Sequence, residues 1–228
     1  MNPDLSTTAN LLGDPARAAI LLSLLGGIAL PAGELARIAN VAPQTASGHL
    51  ARLVDGQFLS VERQGRHRYY RLACTEVADA IEALLVLCAR VAGRTENGVK
   101  ASAGSLAHAR TCYSHLAGWL GVQIARSLEE RQLIGPASKK AYSVTPSGRA
   151  WFAALGLEMS SSEFDRPKAA IRCLDWTERR HHLAGALGCA MYKRFKELRW
   201  MAPVGDTRAV RVTIEGRSRL WDLLRIPI

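Results

Sequence analysis

No two of the five cysteines (Cys74, Cys88, Cys112, Cys173, Cys189) stand in a CxxC pair, and their number is odd. That usage excludes a disulfide framework and a zinc ribbon, and it predicts thiols that serve mostly as small buried apolar residues. Long hydrophobic runs are missing as well. The most apolar helical stretch, Val77 to Val91, contains Asp79, Glu82 and Arg90 and is too short to cross a bilayer. The opening segment MNPDLSTTAN has neither the basic start nor the apolar run of a secretory leader. These absences predict a cytoplasmic protein with no membrane partner.

What is present in excess is positive charge. A formal net charge of +10 predicts an anionic partner, with nucleic acid ahead of a membrane surface. The excess is uneven: residues 1–95 carry nine Arg and Lys against eight Asp and Glu, and residues 96–228 carry 21 against 12. Bulk charge therefore does not locate a DNA site. Hydrophobic content of 48% over 228 residues is enough for one large domain or two modest ones, each with its own core.

Three helix signals come first. DPARAAILLSLL places Asp14 as N-cap and Pro15 at the first helical position. PAGELARIAN reads as a short helix with Leu35 and Ile38 inward, ending near Asn40, and VAP is a tight connection. QTASGHLARLVDGQF presents Leu50, Leu53 and Val54 and closes at Gly56. Two short helices joined by such a turn form a helix-turn-helix. The segment FLSVERQGRHRYYRL then alternates about Gln64-Gly65, the pattern of a hairpin. Arg63, Arg66, Arg68 and Arg71 crowd this one ribbon beside His67, Tyr69 and Tyr70. TEVADAIEALLVLCARV follows as a long helix whose seam of Val77, Ile81, Leu84, Cys88 and Val91 suits packing against a second protomer.

A helix-turn-helix followed by a basic hairpin gives the arginines a purpose. The third helix enters the major groove, where Gln44, Thr45, Ser47 and His49 reach base edges and Arg52 meets a phosphate. The hairpin is a wing, with Arg66, His67 and Arg68 at its tip directed to phosphates or the minor groove. Tyr69 and Tyr70 point to opposite faces, so one packs beneath the wing and the other lies at its surface.

The order LLGDPARAAILLSLL … GELARIANVAPQTASGHLARLVDGQFLSVERQGRHRYYRL resembles the ArsR/SmtB-type winged-helix repressors across about residues 8–92. SGHLARLVDGQFL and RQGRHRYYRL carry the likeness, as recognition helix and wing. The resemblance implies a dimeric repressor that pairs through terminal helices and leaves a double-stranded DNA operator when an effector binds. It also implies metal ligands in two places where this chain lacks them. ELARIAN has no thiol and EVADAIEALLVLCARV has no histidine. Gly48 stands where a larger polar residue is common, so base preference does not carry over.

The chain thus divides into a winged helix-turn-helix at 1–92, a polar, Gly-rich linker at 93–104 and a second domain at 105–228. That domain holds an internal repeat at about 112–157 and 179–226. HLAGWLG at 115–121 recurs as HLAGALG at 182–188, and TPSGRAWFAAL at 145–155 echoes TIEGRSRLWDL at 213–223. Each unit reads helix, hairpin, helix. The expected fold is α+β, mostly helical with short hairpins, its second domain built from two winged-helix-like units.

With both family metal sites missing, the second domain becomes the candidate sensor. Cys112 and His115 lie at i and i+3, which on a helix puts them on one face. CLDWTERRHHLAG brings Cys173, Asp175, Trp176, His181 and His182 together in sequence, and the repeat makes His182 the counterpart of His115. Under pseudo-twofold packing Cys112, His115 and His182 converge, as a metal site, a redox sensor or part of an organic effector site. The plain alternative is core histidines and a buried thiol. Five tryptophans in this domain offer an apolar pocket or simply a core. The sequence names no cofactor. It predicts a homodimeric DNA-binding regulator and no enzyme. The rivals are an architectural protein without base preference and an enzyme with Cys112 as nucleophile and His115 as base.

Overall fold

The computed structural model describes residues 5–64, 67–91, 106–157, 159–205 and 207–228. The expected linker at 93–104 lies outside them, as do Gly65 and Arg66 at the wing tip. The chain forms two compact units, Met1–Ile81 and Glu82–Ile228. The division falls inside the long helix rather than in the linker after it.

The first unit opens with α1 (Leu5–Leu12), which carries no strong start signal in the sequence. In α2 (Pro15–Leu24) the Asp14 carboxylate accepts from the Arg17 N–H at 2.9 Å, with Pro15 at the first helical position. Ile20, Leu21 and Leu24 bury the inner stripe of this helix. A short strand β1 (Leu30–Pro31) leads into α3 (Ala32–Ile38), and α4 (Pro43–Asp55) follows. Ala46, Leu50 and Leu53 of α4 recur at helical spacing and are fully buried, so the opposite face is left to solvent. The hairpin is β2 (Leu59–Gln64) and β3 (His67–Leu72). β1 joins it on the far side of β3, with Leu30 opposite Tyr70 and Pro31 opposite Tyr69. Tyr70 is buried and Tyr69 half-buried. α5 (Thr75–Val91) runs out of this unit into the second.

The second unit is built twice over, and each repeat is hairpin, helix, hairpin, helix. The first comprises β4 (Arg110–Cys112), β5 (His115–Ala117), α6 (Gly118–Glu130), β6 (Ile134–Pro136), β7 (Tyr142–Val144) and α7 (Pro146–Ala154). After a single turn, α8 (Ser161–Phe164), the second comprises β8 (Ile171–Leu174), β9 (His181–Ala184), α9 (Gly185–Glu197), β10 (Met201–Pro203), β11 (Val210–Val212) and α10 (Ile214–Leu224). The leading hairpin of each repeat corrects the sequence reading, which began the unit with a helix. HLAG is strand up to the alanine. The helix begins at Gly118 or Gly185, whose φ of +79° and +76° lie in the left-handed region that a side chain disfavours.

The repeated residues have repeated jobs. Thr145 and Thr213 cap α7 and α10, each hydroxyl accepting from the glycine N–H three residues on, Gly148 or Gly216. A Cβ on either glycine would strike the carbonyl oxygen of Leu133 or Trp200. The repeats are also interlocked. Tyr142 of the first donates its N–H to Ala170 O at 3.0 Å, and Val210 of the second donates to Ala109 O at 2.9 Å. Each repeat's trailing hairpin therefore leans on the other's leading one, about a pseudo-twofold axis. Leu120, Leu128, Phe152, Leu187, Phe195 and Leu220 fill the shared core.

Candidate functional site

The outer face of α4 holds Gln44, Thr45, Ser47 and Arg52, all exposed. Ser47 Oγ donates back to Pro43 O at 2.9 Å, a local bond that leaves the hydroxyl oxygen open as an acceptor. His49 is placed differently. It is half-buried with Nδ1 3.8 Å from Asp14 Oδ1 and 3.5 Å from the Arg17 guanidinium, so it faces α2 rather than the open face of its own helix. Gly48 sits in the middle of the exposed face with open space where a Cβ would be.

On the wing, Arg63 and Arg68 are direct cross-strand partners, and both are exposed. Like charges facing each other across an antiparallel pair destabilise it, unless an anion lies between or over them. Arg71 bonds Ser60 Oγ at 3.3 Å and stays at the base of the ribbon. Arg66 and the His67 side chain, expected at the tip, lie outside the described residues. Along α5, Ile81 is buried and Val77 half-buried, whereas Leu84, Cys88 and Val91 of the expected seam are exposed, with Leu87 beside them.

The second unit gathers Cys112, His115 and His182, and adds Cys173. The Sγ and imidazole nitrogen atoms of the four lie within 4.8 Å of one another, and His115 Nε2 is 3.0 Å from His182 Nε2. Cys112, His115 and His182 are buried and Cys173 is partly so. The route differs from the one expected. Cys112 and His115 do not share a helix face: they are cross-strand partners flanking the turn of the β4–β5 hairpin. Cys173 and His182 are likewise partners across β8 and β9. Each hairpin delivers one thiol and one imidazole to the axis.

Sequence reasoning linked the histidines but not the thiols. The stretch between the paired cysteine and histidine is six residues longer in the second hairpin, so the offset of 67 that aligns His115 with His182 sets Cys112 against Arg179. The signal that finds Cys173 is register, a cysteine facing a histidine at the end of a strand pair.

The electrostatics favour an anionic sulfur at the centre. A hydrogen bond from Cys112 holds the Cys173 thiol well below the usual thiol range. His115 and His182 reinforce the effect, against the opposing push of burial. The same bond, followed by burial, pushes Cys112 well up. Burial lowers His115, against the opposing pull of Cys173, and the neighbouring His182 adds to the lowering.

Beside the cluster lies a buried ion pair that the sequence did not reveal. Arg110 Nη2 donates to Asp175 Oδ2 at 2.9 Å, and both side chains are fully enclosed. Asp175 Oδ2 also accepts the Gly118 N–H at 2.7 Å, while Oδ1 takes the Thr177 and Glu178 N–H groups and the Thr177 hydroxyl. Burial alone would raise this carboxyl, but Arg110, His182, Thr177 and Gly118 hold it at about 2. His182 Nδ1 lies 3.7 Å from the same Oδ2 and makes no shorter bond.

The tryptophans do not gather into one pocket. Trp119 stacks on His108, Trp200 on Phe195, Trp151 meets Phe152 edge-on, Trp176 lies under Arg110, and Trp221 is half-exposed beside Arg225.

The pair α3 and α4, with one face of α4 exposed, followed by a strand-paired basic hairpin, defines a winged helix-turn-helix DNA-binding domain. A helix-turn-helix domain family matches residues 12–62. The chain is 45% identical, over 100% of both lengths, to YdfF of Bacillus subtilis (strain 168), an uncharacterized HTH-type transcriptional regulator. The chain belongs to this family of HTH-type transcriptional regulators, and its first unit is a winged helix-turn-helix. Among solved structures it is similar to reduced HlyU from Vibrio cholerae N16961, at 28% identity over 36% of this chain and 85% of that one, with a TM-score of 0.33. It is also similar to the homodimeric winged helix-turn-helix domain of Mb0332 from Mycobacterium bovis, described as a possible ArsR-family regulator. That match has 24% identity over 41% of this chain and 85% of that one, with a TM-score of 0.37. No helix among the described residues is long and apolar enough to cross a membrane.

Proposed function

We propose that the protein is a homodimeric, sequence-specific repressor acting in the cytoplasm, released from its operator by an effector sensed in the second unit. The observation that carries the DNA part is the Arg63–Arg68 pair: two exposed arginines stand opposite each other in the strand register of the wing, an arrangement whose repulsion a phosphate relieves. Beside it in sequence, α4 offers Gln44, Thr45 and Ser47 to base edges and Arg52 to a phosphate. Arg66 and His67 extend the wing contact, and His49 supports the recognition helix from behind by bracing it on Asp14 and Arg17.

Dimerisation is supported by α5, whose Ile81 is buried and Val77 half-buried within the protomer while Leu84, Cys88 and Val91 stay exposed at the same helical spacing. Sensing is supported by the enclosed Cys112–His115–Cys173–His182 cluster. An enzymatic reading is disfavoured because its nucleophile, Cys112, is only 1% exposed.

The test is selection of bound fragments from random duplex DNA, repeated with divalent metal, oxidant and cell extract added. A recovered pseudo-palindrome with half-sites about one helical turn or a multiple apart supports the reading. Binding that random competitor abolishes as well as the selected site does would replace it with an architectural role.

A further inference from the structure

We infer that Cys112, His115, Cys173 and His182 form a closed four-ligand site for a single divalent ion of the zinc class, which clamps the two repeats of the second unit at their pseudo-twofold axis. This goes beyond the repressor reading and stands on the second unit alone. The donor set is two sulfurs and two imidazole nitrogens, the combination that borderline metals such as zinc take in tetrahedral, fully protein-ligated sites. Tetrahedral Zn–N and Zn–S bonds set neighbouring donor atoms about 3.3–3.8 Å apart. The separations here, 3.0 Å between the imidazole nitrogens and none above 4.8 Å, need shifts of about an ångström or less to reach that shape.

Two further features point to a metal rather than to a histidine hydrogen bond alone. His182 Nδ1 is buried, makes no hydrogen bond and lies 3.7 Å from the Asp175 carboxylate, so the tautomer that suits Asp175 carries its proton on Nδ1. Nε2 then presents a lone pair to the cluster, 3.0 Å from His115 Nε2. A carboxylate behind a ligating imidazole is the usual outer partner at metal sites, and Asp175 is itself fixed by Arg110 and by the N–H groups of Gly118, Thr177 and Glu178. The second feature is symmetry. Each repeat supplies one cysteine and one histidine as cross-strand partners, and the opposite helix leaves room for them: a Cβ on Gly121 would approach His182, and one on Gly188 would approach His115. Cys173, the most exposed of the four, is the side from which an ion enters. Loading releases the thiol protons as both sulfurs become thiolates, and no redox step is involved.

The experiment is elemental analysis of the full chain purified from zinc-supplemented cells, together with cobalt(II) titration of protein stripped by a chelator. The expected result is one zinc per chain. Cobalt should give a thiolate-to-metal charge-transfer band and the intense visible bands of a tetrahedral ion, saturating at one equivalent. Cys112→Ser and Cys173→Ser should lose the metal, with the charge-transfer intensity roughly halved in any variant that still binds cobalt, whereas Cys74→Ser should keep it. Because the site variants can fail to fold, the cobalt spectrum of the unmodified chain stands as the independent readout. Absence of both zinc and a tetrahedral cobalt spectrum overturns the inference, as does a Cys112–Cys173 disulfide in the freshly purified protein, or loss of metal in Cys74→Ser. DNA affinity measured on the same samples separates this result from the repressor reading, since metal can be present whether or not DNA is bound.

Discussion

Gly121 of α6 stands directly against His182 of the other repeat: a Cβ at Gly121 would lie 3.5 Å from the His182 Cβ. The same added atom would sit 2.6 Å from the Leu116 carbonyl oxygen, and backbone cannot yield there without moving the strand that carries His115. Gly121→Ala should therefore cost about 1–3 kcal/mol. Gly188→Ala should behave alike, since its Cβ would meet Leu183 O at 2.3 Å and His115 Cβ at 3.4 Å. Urea unfolding of the two variants checks this, and a loss below about 0.5 kcal/mol in both would show that the helices do not rest on the histidine strands as tightly as the geometry requires.

Arg110→Ala should be more costly. The guanidinium and its partner Asp175 are both fully enclosed, and removing the cation strands a carboxylate held at about 2. Breaking a buried pair from one side costs about 3–5 kcal/mol. A double-mutant cycle with Asp175→Ala separates the pair from its surroundings. A strong coupling energy is expected, and near-additive losses would mean that Asp175 acts mainly through its bonds to Gly118, Thr177 and Glu178.

Much of the first unit was legible because its signals are local. Asp14-Pro15 marks a helix start, and Ala46, Leu50 and Leu53 mark the buried stripe of α4. What escaped was decided by tertiary pairing. β1 is only Leu30–Pro31, and it exists because Tyr69 and Tyr70 offer it a free strand edge. His49 reads as a groove-facing residue until Asp14 and Arg17 draw it back toward α2. In the second unit the repeat is visible in the sequence, yet its pattern predicts a helix where HLAG forms a strand. Gly118 and Gly185 need positive φ at a strand-to-helix corner, and spacing does not encode that. The unequal turns hid the equivalence of Cys112 and Cys173, so one ligand of the cluster surfaced only with the strand register.

The α5 seam yields a test of assembly. Leu84 is 40% and Val91 81% exposed in the single chain, with Leu87 at 54%. If a second copy covers them, Leu84→Glu should move the protein from dimer to monomer in sedimentation equilibrium and weaken operator binding steeply, as two half-sites then bind separately. A variant that stays dimeric would move the interface elsewhere on the chain.

Arg68→Ala removes one side of the facing Arg63–Arg68 pair. Operator affinity should fall across all sequences, and the slope of log affinity against log salt should become shallower by about one. The wing itself should be no less stable, because the lost partner was a like charge. An unchanged salt slope would take Arg68 off the phosphate backbone.

Gly48 gives the sharpest separation of stability from recognition. It lies mid-helix in α4, exposed, with nothing within 4 Å of where a Cβ would be, so alanine fits the free protein without a clash. Alanine also forms helix better than glycine by about 1 kcal/mol, which should raise Tm by a few degrees. On DNA the balance reverses if this face meets the groove, because glycine is the residue that lets the helix backbone come closest to base edges. Gly48→Ala is therefore expected to be more stable and to bind its operator more weakly, read by thermal unfolding and fluorescence anisotropy on one preparation. Affinity that holds or rises with Tm would place Gly48 away from the DNA and turn the reading face of α4 toward Gln44 and Thr45 alone.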